Sequence, residues 1–540
     1  MISRGLMLFS IGISFSLLVA CSDSSSPSKA PVTDLPERVL EASTTLGIVR
    51  GFEADEIVKF LGIPYAEPPV GQLRFKAPEP ANSWTETFEA SQFGPACMQP
   101  EYYTLNDRRS EDCLTLNVWT SNVDSAQRPV MVWIHGGGWV AESSASGWYD
   151  GTILSRRGDV VVVSMEYRLG VFGFSYLDHR DSSMSGSGNV GILDQVAALE
   201  WVRDNIAKFG GDPENVTIFG ESAGGMSVST LLGIPASRDL FSKAIVQSGA
   251  ANSLRGVDYA SSLSDRLMEH AGIGDVANLQ MITADELLAA QVALTDEELI
   301  ESIVFGPVID GVVLPEPPLD AVAAGSAQGI PLMVGTTLDE TRAWLSFLPF
   351  LVDLPPEVAA AGIPYAERAT ELIGDQFSDT IALYSANRLQ ATPGDVTLAL
   401  ATDMFFRIPS IRLAEAQSAH QANTWMYLFT WPATVMDGFF GALHGVEVPF
   451  VFHNYDIQDV IDYIGEGAPR SLGIITQDAW LAFARSGNPN HAGMPQWPAY
   501  DIDSRATMIL DIESRVEDDP FGDERMVWDG IPFNSVVPAL

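Results

Sequence analysis

Basic residues are scarce in this 540-residue chain: 30 Lys and Arg stand against 70 Asp and Glu, a formal net charge of −40. No Lys/Arg stripe exists to neutralise phosphates, which excludes nucleic acid as a partner and disfavours highly anionic substrates. The acidity reads as a solvated surface that keeps the protein soluble. Cysteine and histidine are also few, three and seven. None form a cluster at ligand spacing, so no metal site is supported, and the chemistry read below needs neither a metal nor another cofactor. No internal linker, repeat or low-complexity break appears after residue 40. Despite its length the chain therefore reads as one large domain, 41–540, with 46% hydrophobic residues to build its core.

Against these absences stands the run Gly220-Glu221-Ser222-Ala223-Gly224. It follows a strand-like stretch, residues 215–219, and precedes small residues that can open a helix. That is the G-x-S-x-G pattern of a nucleophile elbow in its strand–turn–helix setting. Its glycines allow a sharp turn where side chains would collide, and Ser222 would be held out at the strand's tip. Alone, the pattern is equally a Gly-rich turn that only lets backbone pack closely. Three further pieces decide for catalysis.

Upstream, residues 129–134 read as a buried strand running into His135-Gly136-Gly137-Gly138-Trp139. Such glycines expose N–H groups to a ligand, as acyl transfer requires for the charge developing on the carbonyl oxygen. The N–H groups of Gly137, Gly138 and Ala223 are the candidate oxyanion hole. His135 reads as structural, because a better base lies downstream. That base is His444, set between small residues in Gly441-Ala442-Leu443-His444-Gly445, after the strand candidate 424–429. An imidazole can take and return a proton near neutral pH. The third piece is an acid. Residues 330–335 read as a short buried strand ending near Asp339-Glu340, and a carboxylate there can orient the histidine. Spacing does not separate Asp339 from Glu340. The order Ser…acid…His is that of the α/β-hydrolase arrangement.

Strand candidates alternate with helical patterns. Residues 159–164 are one such strand, and residues 195–208 carry apolar residues at helical spacing, read as a surface-packed helix. The expected class is α/β: a large, mostly parallel central sheet flanked by helices. Residues from about 341 to 420, rich in helix formers, are expected to build a helical cap.

The chain resembles the type-B carboxylesterases, the family that also holds the cholinesterases and bacterial p-nitrobenzyl esterases. The likeness runs from about residue 44 to the C-terminus. It is carried by Phe60-Leu61-Gly62-Ile63-Pro64-Tyr65-Ala66-Glu67-Pro68-Pro69, Glu111-Asp112-Cys113-Leu114, Tyr167-Arg168-Leu169-Gly170, Gly188-Asn189-Val190-Gly191 through Asp194-Gln195, Phe209-Gly210-Gly211-Asp212-Pro213 and Gly487-Asn488-Pro489-Asn490. The resemblance implies an α/β-hydrolase fold. It selects Glu340 as the acid and agrees on Gly137, Gly138 and Ala223. It also makes Phe305 an acyl-pocket position, with aliphatic Ile303 two residues earlier implying a roomier pocket. Trp139 and Trp344 are candidates to line the gorge, each equally a core residue. Glu221 is expected near the alcohol side, with a structural hydrogen-bonding role as the alternative.

The N-terminus is separate. Residues 1–20 carry one cation, Arg4, and an apolar stretch, a secretory signal too short to span a membrane securely. Leu18-Val19-Ala20-Cys21 resembles the lipobox of bacterial lipoproteins, so Cys21 is the expected lipidation site. A Ser/Pro-rich tether follows within 21–40, and the expected destination is the outer membrane, with the membrane met only through the lipid anchor. Removing Cys21 leaves Cys97 and Cys113, which in an exported protein read as a disulfide; the family has one at this place. The enclosed loop holds no tryptophan, unlike the cation-binding loop of cholinesterases, which argues against that activity.

The reading is a serine ester hydrolase of short- to medium-chain or aryl esters, neutral rather than charged, acting through an acyl-enzyme on a small-molecule ester. The rivals are a lipase or polyester hydrolase on the same triad, and a non-catalytic binding or adhesion relative. The sequence does not specify an oligomeric state.

Overall fold

Runs such as Val130-Met131-Val132-Trp133-Ile134 are apolar at every position, the pattern of a strand buried on both faces. In the computed structural model, described for residues 39–101, 108–250, 253–297, 304–346, 366–388, 391–532 and 536–537, they form the centre of a large sheet. The signal segment, Cys21, nearly all of the tether and Ile303 lie outside the described residues.

Eleven strands make this sheet: β1 Phe52–Ala54, β2 Ile57–Pro64, β3 Thr115–Thr120, β4 Arg128–Ile134, β5 Val161–Met165, β6 Gly211–Glu221, β7 Lys243–Gln247, β8 Leu332–Thr337, β9 Thr424–Phe429, β10 Ala506–Leu510 and β11 Arg515–Asp518. Their spatial order is β11-β10-β9-β8-β7-β6-β4-β5-β3-β2-β1. The strands from β5 to β10 pair in parallel, and the antiparallel pairs lie towards the two edges. The mostly parallel sheet and the α/β-hydrolase architecture read from the sequence are therefore present.

Successive side chains point to opposite faces of a strand, and each face has its own core. Val130, Val132 and Ile134 of β4 join Val161, Val163, Val216, Ile218, Ala244 and Val246 on one side. Met131 and Trp133 join Val162, Phe219, Ile245 and Met333 on the other. The crossing order β6-β4-β5 places the C-terminal ends of β4, β6, β7, β8 and β9 side by side, and the chemistry-bearing turns leave from β4, β6, β8 and β9.

The helix expected over 195–208 begins earlier and is less exposed than its charges suggest. It spans Val190–Asn205, with a 3-10 turn over Ile206–Phe209, and most of its residues are buried. One reason is Asp194. Its carboxylate accepts from the Arg168 backbone N–H at 3.0 Å and from the guanidinium Nε and Nη2 at 2.8 and 2.7 Å. Both side chains are buried, so an acid within the helix's apolar face is matched by a bidentate partner. Helices over 366–373, 377–387, 393–402 and 408–418 supply the helical region expected between 341 and 420. Cys97 and Cys113 form the expected disulfide, worth about 3 kcal/mol in the chain-entropy account.

Asp194→Ala leaves a buried guanidinium without its counter-charge and should destabilise the fold by about 3–5 kcal/mol. Urea unfolding of the variant beside the parent protein measures this, and a loss below about 1 kcal/mol contradicts it.

Candidate active site

The turn after β6 is held by close backbone approaches that leave no room for side chains. A Cβ on Gly220 would stand 2.6 Å from the carbonyl oxygen of Ile134, and one on Gly225 2.5 Å from that of Gln247. A Cβ on Gly224 would overlap the Ile134 carbonyl. Ser222 takes φ 56° and ψ −126°, a conformation unfavourable for a side-chain-bearing residue. The surroundings impose it. Its N–H donates to Gln247 O at 3.0 Å, and its carbonyl accepts from Met226 N at 2.8 Å in the helix Ala223–Gly233 that starts here.

Beyond β8, Asp339 and Glu340 divide two tasks that spacing alone left undivided. Asp339 Oδ2 accepts from Ala442 N at 2.9 Å, and Asp339 N donates back to Ala442 O at 2.9 Å. This pins the loop that carries His444. Glu340, with no exposed surface, accepts from Thr337 N at 2.8 Å through Oε1 and meets His444 Nδ1 at 2.6 Å through Oε2. The bond to Nδ1 turns Nε2 towards the elbow, where Glu221 Oε1 lies 3.2 Å away. A carboxylate, a histidine and the residue next to Ser222 are thus in one contact chain. This is the arrangement of a base whose ring is oriented by an acid.

Aromatic rings close over the histidine. Trp344 lies 6.2 Å and Phe406 4.9 Å from His444, centroid to centroid. Phe406 is a site residue that sequence reasoning missed. It stands on a single π-helical turn, Asp403–Arg407, between two α-helical segments. Such a widened turn re-aims a side chain in a way helical periodicity does not reveal. Glu447 was also missed. It is buried, accepts from Gln247 Nε2 at 3.1 Å, and shares the field around His444.

The electrostatics of the site are those of carboxylates deprived of water. Burial pushes Glu221 well above the usual carboxylate range, with His444 opposing and the neighbouring carboxylates adding to the rise. Burial acts on His444 in the opposite sense, but Glu221, Glu340 and Glu447 outweigh it and hold the imidazole up at about 9. A proton on Glu221 removes one of these attractions, so the two groups compete for protons.

The loop after β4 is shaped by left-handed backbone at Gly137 (φ 87°) and Gly138 (φ 63°). The Gly137 carbonyl accepts from Val140 N and Ala141 N, both at 3.0 Å, which curls the loop back on itself. Ala223 opens its helix, so its N–H has no intrahelical acceptor. His135 is fully buried and stacks on Tyr167 at 4.4 Å. The Tyr167 hydroxyl donates to its carbonyl at 2.7 Å. Burial pushes the His135 imidazolium down to about 4, leaving it neutral. It supports the loop, as the sequence suggested.

Of the pocket candidates, Trp139 takes the core alternative left open for it, and Phe305 is corrected. Trp139 is 0% and Phe305 2% exposed. The Trp139 indole donates to Ser227 Oγ at 2.9 Å and lies 6.0 Å from the Phe174 ring, so an internal partner consumes its polar edge. Both are packing residues beside the site and present no surface to a substrate. Glu221 and Trp344 do stand at the histidine. No group of three or more metal-binding side chains occurs among the described residues.

Comparison with known proteins agrees with this geometry. The model of the carboxylesterase family matches residues 37–528. The para-nitrobenzyl esterase of Bacillus subtilis (strain 168) is 40% identical over 493 residues, covering 89% of this chain and 97% of that protein. The phenmedipham hydrolase of Pseudarthrobacter oxydans is 33% identical over 492 residues, covering 87% of this chain and 94% of the relative. Among solved structures, a Geobacillus stearothermophilus carboxylesterase superposes with a TM-score of 0.83 at 40% identity. That match covers 91% of this chain and all of the other.

Glu221→Gln removes the strongest of the carboxylate attractions that raise His444, so the imidazolium should lose its proton at a pH lower by about one unit or more. An NMR titration of the His444 ring signals in both proteins reads the shift. An unchanged midpoint would contradict the assigned coupling.

Proposed function

The chain belongs to the carboxylesterase family and is a carboxylesterase, and from that premise we propose that it cleaves short- to medium-chain and aryl esters through an acyl-enzyme on Ser222. The observation that carries the assignment of roles is the 2.6 Å contact between Glu340 Oε2 and His444 Nδ1, with Nε2 turned to the elbow. The strained backbone of Ser222 supports the same reading, since strain of this kind persists only where the surroundings enforce it.

His444 Nε2 takes the Ser222 hydroxyl proton as Oγ attacks the ester carbonyl. Glu340 holds the ring and stabilises the imidazolium that forms. The N–H groups of Gly137, Gly138 and Ala223 receive the oxyanion. The C–O bond to the alcohol then breaks, and His444 returns its proton to the leaving oxygen. Water enters and repeats the sequence, His444 taking its proton, until the acid is released and Ser222 regains its hydrogen. Trp344 and Phe406, against the imidazole, exclude water from one side of the ring and confine its motion. The name of one relative, para-nitrobenzyl esterase, supports an ester whose alcohol carries an aromatic ring as a substrate class.

For the segment before the domain, export as a lipoprotein anchored through Cys21 is proposed, supported by Leu18-Val19-Ala20-Cys21 and the Ser/Pro-rich stretch behind it. In a bacterial host, Cys21→Ala should abolish incorporation of radiolabelled palmitate and move the protein out of the membrane fraction. Labelling that persists in the variant contradicts this.

Hydrolysis of p-nitrophenyl esters from acetate to palmitate should peak at short to medium chains. Ser222→Ala should lower kcat by about 10⁴-fold or more. A maximum at palmitate would point instead to a lipase, and activity retained without Ser222 would remove the nucleophile assignment.

A further inference from the structure

The glycine loop after β4, which carries two of the candidate oxyanion donors, is tied at its base by one side chain. Glu166 follows β5 and is buried. Its backbone is fixed on both sides. Its N–H donates to Thr115 O at 2.9 Å, and its carbonyl accepts from Tyr65 Oη at 2.7 Å. Oε1 of its carboxyl takes the far end of the loop, accepting from Ser143 Oγ at 2.6 Å and from Ser144 N and Oγ, both at 2.8 Å. Oε2 faces the near end, 4.0 Å from His135 Nε2. Gly136, Gly137 and Gly138 lie between these two points.

Donors are lacking at the near end. His135 Nδ1 meets Gly136 O at 3.1 Å. A carbonyl only accepts, so Nδ1 carries the one hydrogen of the neutral ring and Nε2 is left as an acceptor. Neither Nε2 nor Glu166 Oε2 makes a hydrogen bond among the described residues. Were Glu166 ionised, two buried acceptors would face each other with no hydrogen between them, which is costly out of water. A hydrogen on Oε2 supplies the missing donor, while Oε1 remains the acceptor for the serines. We propose that Glu166 is a positioning residue that works as a neutral acid: its Oε2 hydrogen is directed at His135 Nε2, and the glycine loop keeps its place over Ser222 only while that hydrogen is bound.

Burial acts in the same sense. It pushes Glu166 up to about 7, against the hydrogen bonds from Ser143, Ser144 and the Cys97 backbone that favour the charge. The proton leaves as pH rises through that value, so the loop is held below it and released above it. The neighbours that titrate or carry charge are few. Tyr65 and Tyr167 are buried phenols held well above their usual range and stay neutral. Arg168 is matched by Asp194. Glu142 is pushed up to about 7 by burial, with the Glu166 charge adding to the rise, so these two carboxyls are linked.

This inference rests on the ester-hydrolase roles proposed above. The test measures kcat and KM for p-nitrophenyl acetate between about pH 6 and about pH 9 in the parent, Glu166→Gln, Ser143→Ala and Glu142→Gln. Each kcat is divided by the parent's at the same pH, because His444 titrates in all four proteins. A glutamine offers an acceptor to the serines and a donor to His135 at every pH. Its ratio should therefore rise about tenfold from the acid to the alkaline end, with KM changed by no more than about twofold. Ser143→Ala removes a bond that favours the ionised form, so its ratio should rise about threefold near pH 8. It carries the test where Glu166→Gln fails to fold. Glu142→Gln should show no rise. A flat Glu166→Gln ratio, or a flat Ser143→Ala ratio where the glutamine variant does not fold, overturns the proposal and leaves the ester-hydrolase reading intact; a water molecule donating to both acceptors would give this result. A rise in Glu142→Gln equal to that in Glu166→Gln overturns it as well. A parent inactive on p-nitrophenyl acetate at every pH removes both readings together.

Discussion

The site depends on how closely the end of β4 approaches the turn after β6. The carbonyl of Ile134 faces both Gly220 and Gly224, at a separation no Cβ tolerates. That contact bends the chain sharply enough to force Ser222 to positive φ. It also brings Gly136 against Ser222, since the glycine loop begins two residues after Ile134. Ser222 and the glycine loop after β4 are therefore set by one backbone approach, and the two-sided core of the sheet holds that approach rigid. Gln247 extends the same logic. Its carbonyl takes the Ser222 N–H, and its side chain joins Trp480 Nε1 to Glu447. The end of β7 thereby ties the elbow to the wall behind His444.

Much of this was legible in the sequence, because the constraints that matter most are local. A strand buried on both faces shows as an unbroken apolar run, and a sharp turn shows as glycines. The strand 424–429 was read with its observed limits, and β4 with one residue's difference. The helix over 190–205 was misjudged in start and exposure because Asp194 counts as a surface residue in any periodic pattern. Only the fold reveals that Arg168 pays for its burial. The aromatic candidates were left undecided, or for Phe305 misplaced, for a related reason. Trp139 and Phe305 carry the same signal as Trp344, a ring near a motif, and packing alone decides which ring meets the histidine. Phe406 left no signal, since a one-residue widening of a helix does not alter its apolar pattern.

The acid pair shows where resemblance added what spacing did not. Asp339 and Glu340 are adjacent, so both leave β8 at the same place. Their side chains diverge, one towards the backbone of the histidine loop and the other towards the ring. Position and orientation of the base are therefore set by separate carboxylates. A change at Asp339 acts on where the loop lies, and one at Glu340 acts on the ring itself.

The acidity of the chain takes on a different meaning inside than outside. Most of the 70 acidic side chains would cost little on a surface in water. Around His444, Glu221, Glu340 and Glu447 are buried together, and burial drives Glu221 and Glu447 towards their protonated forms. A fully ionised set would repel itself, and a fully neutral one would leave the imidazolium of each catalytic cycle without a counter-charge. The fold settles between these limits by giving the carboxylates different partners. Among the described residues, Glu340 has a backbone N–H and the histidine, Glu447 has Gln247, and Glu221 has the ring's electrostatic contact. Of these three, the carboxylate with the fewest partners among the described residues is the one beside His444 Nε2, so its charge bears most directly on the proton that nitrogen holds.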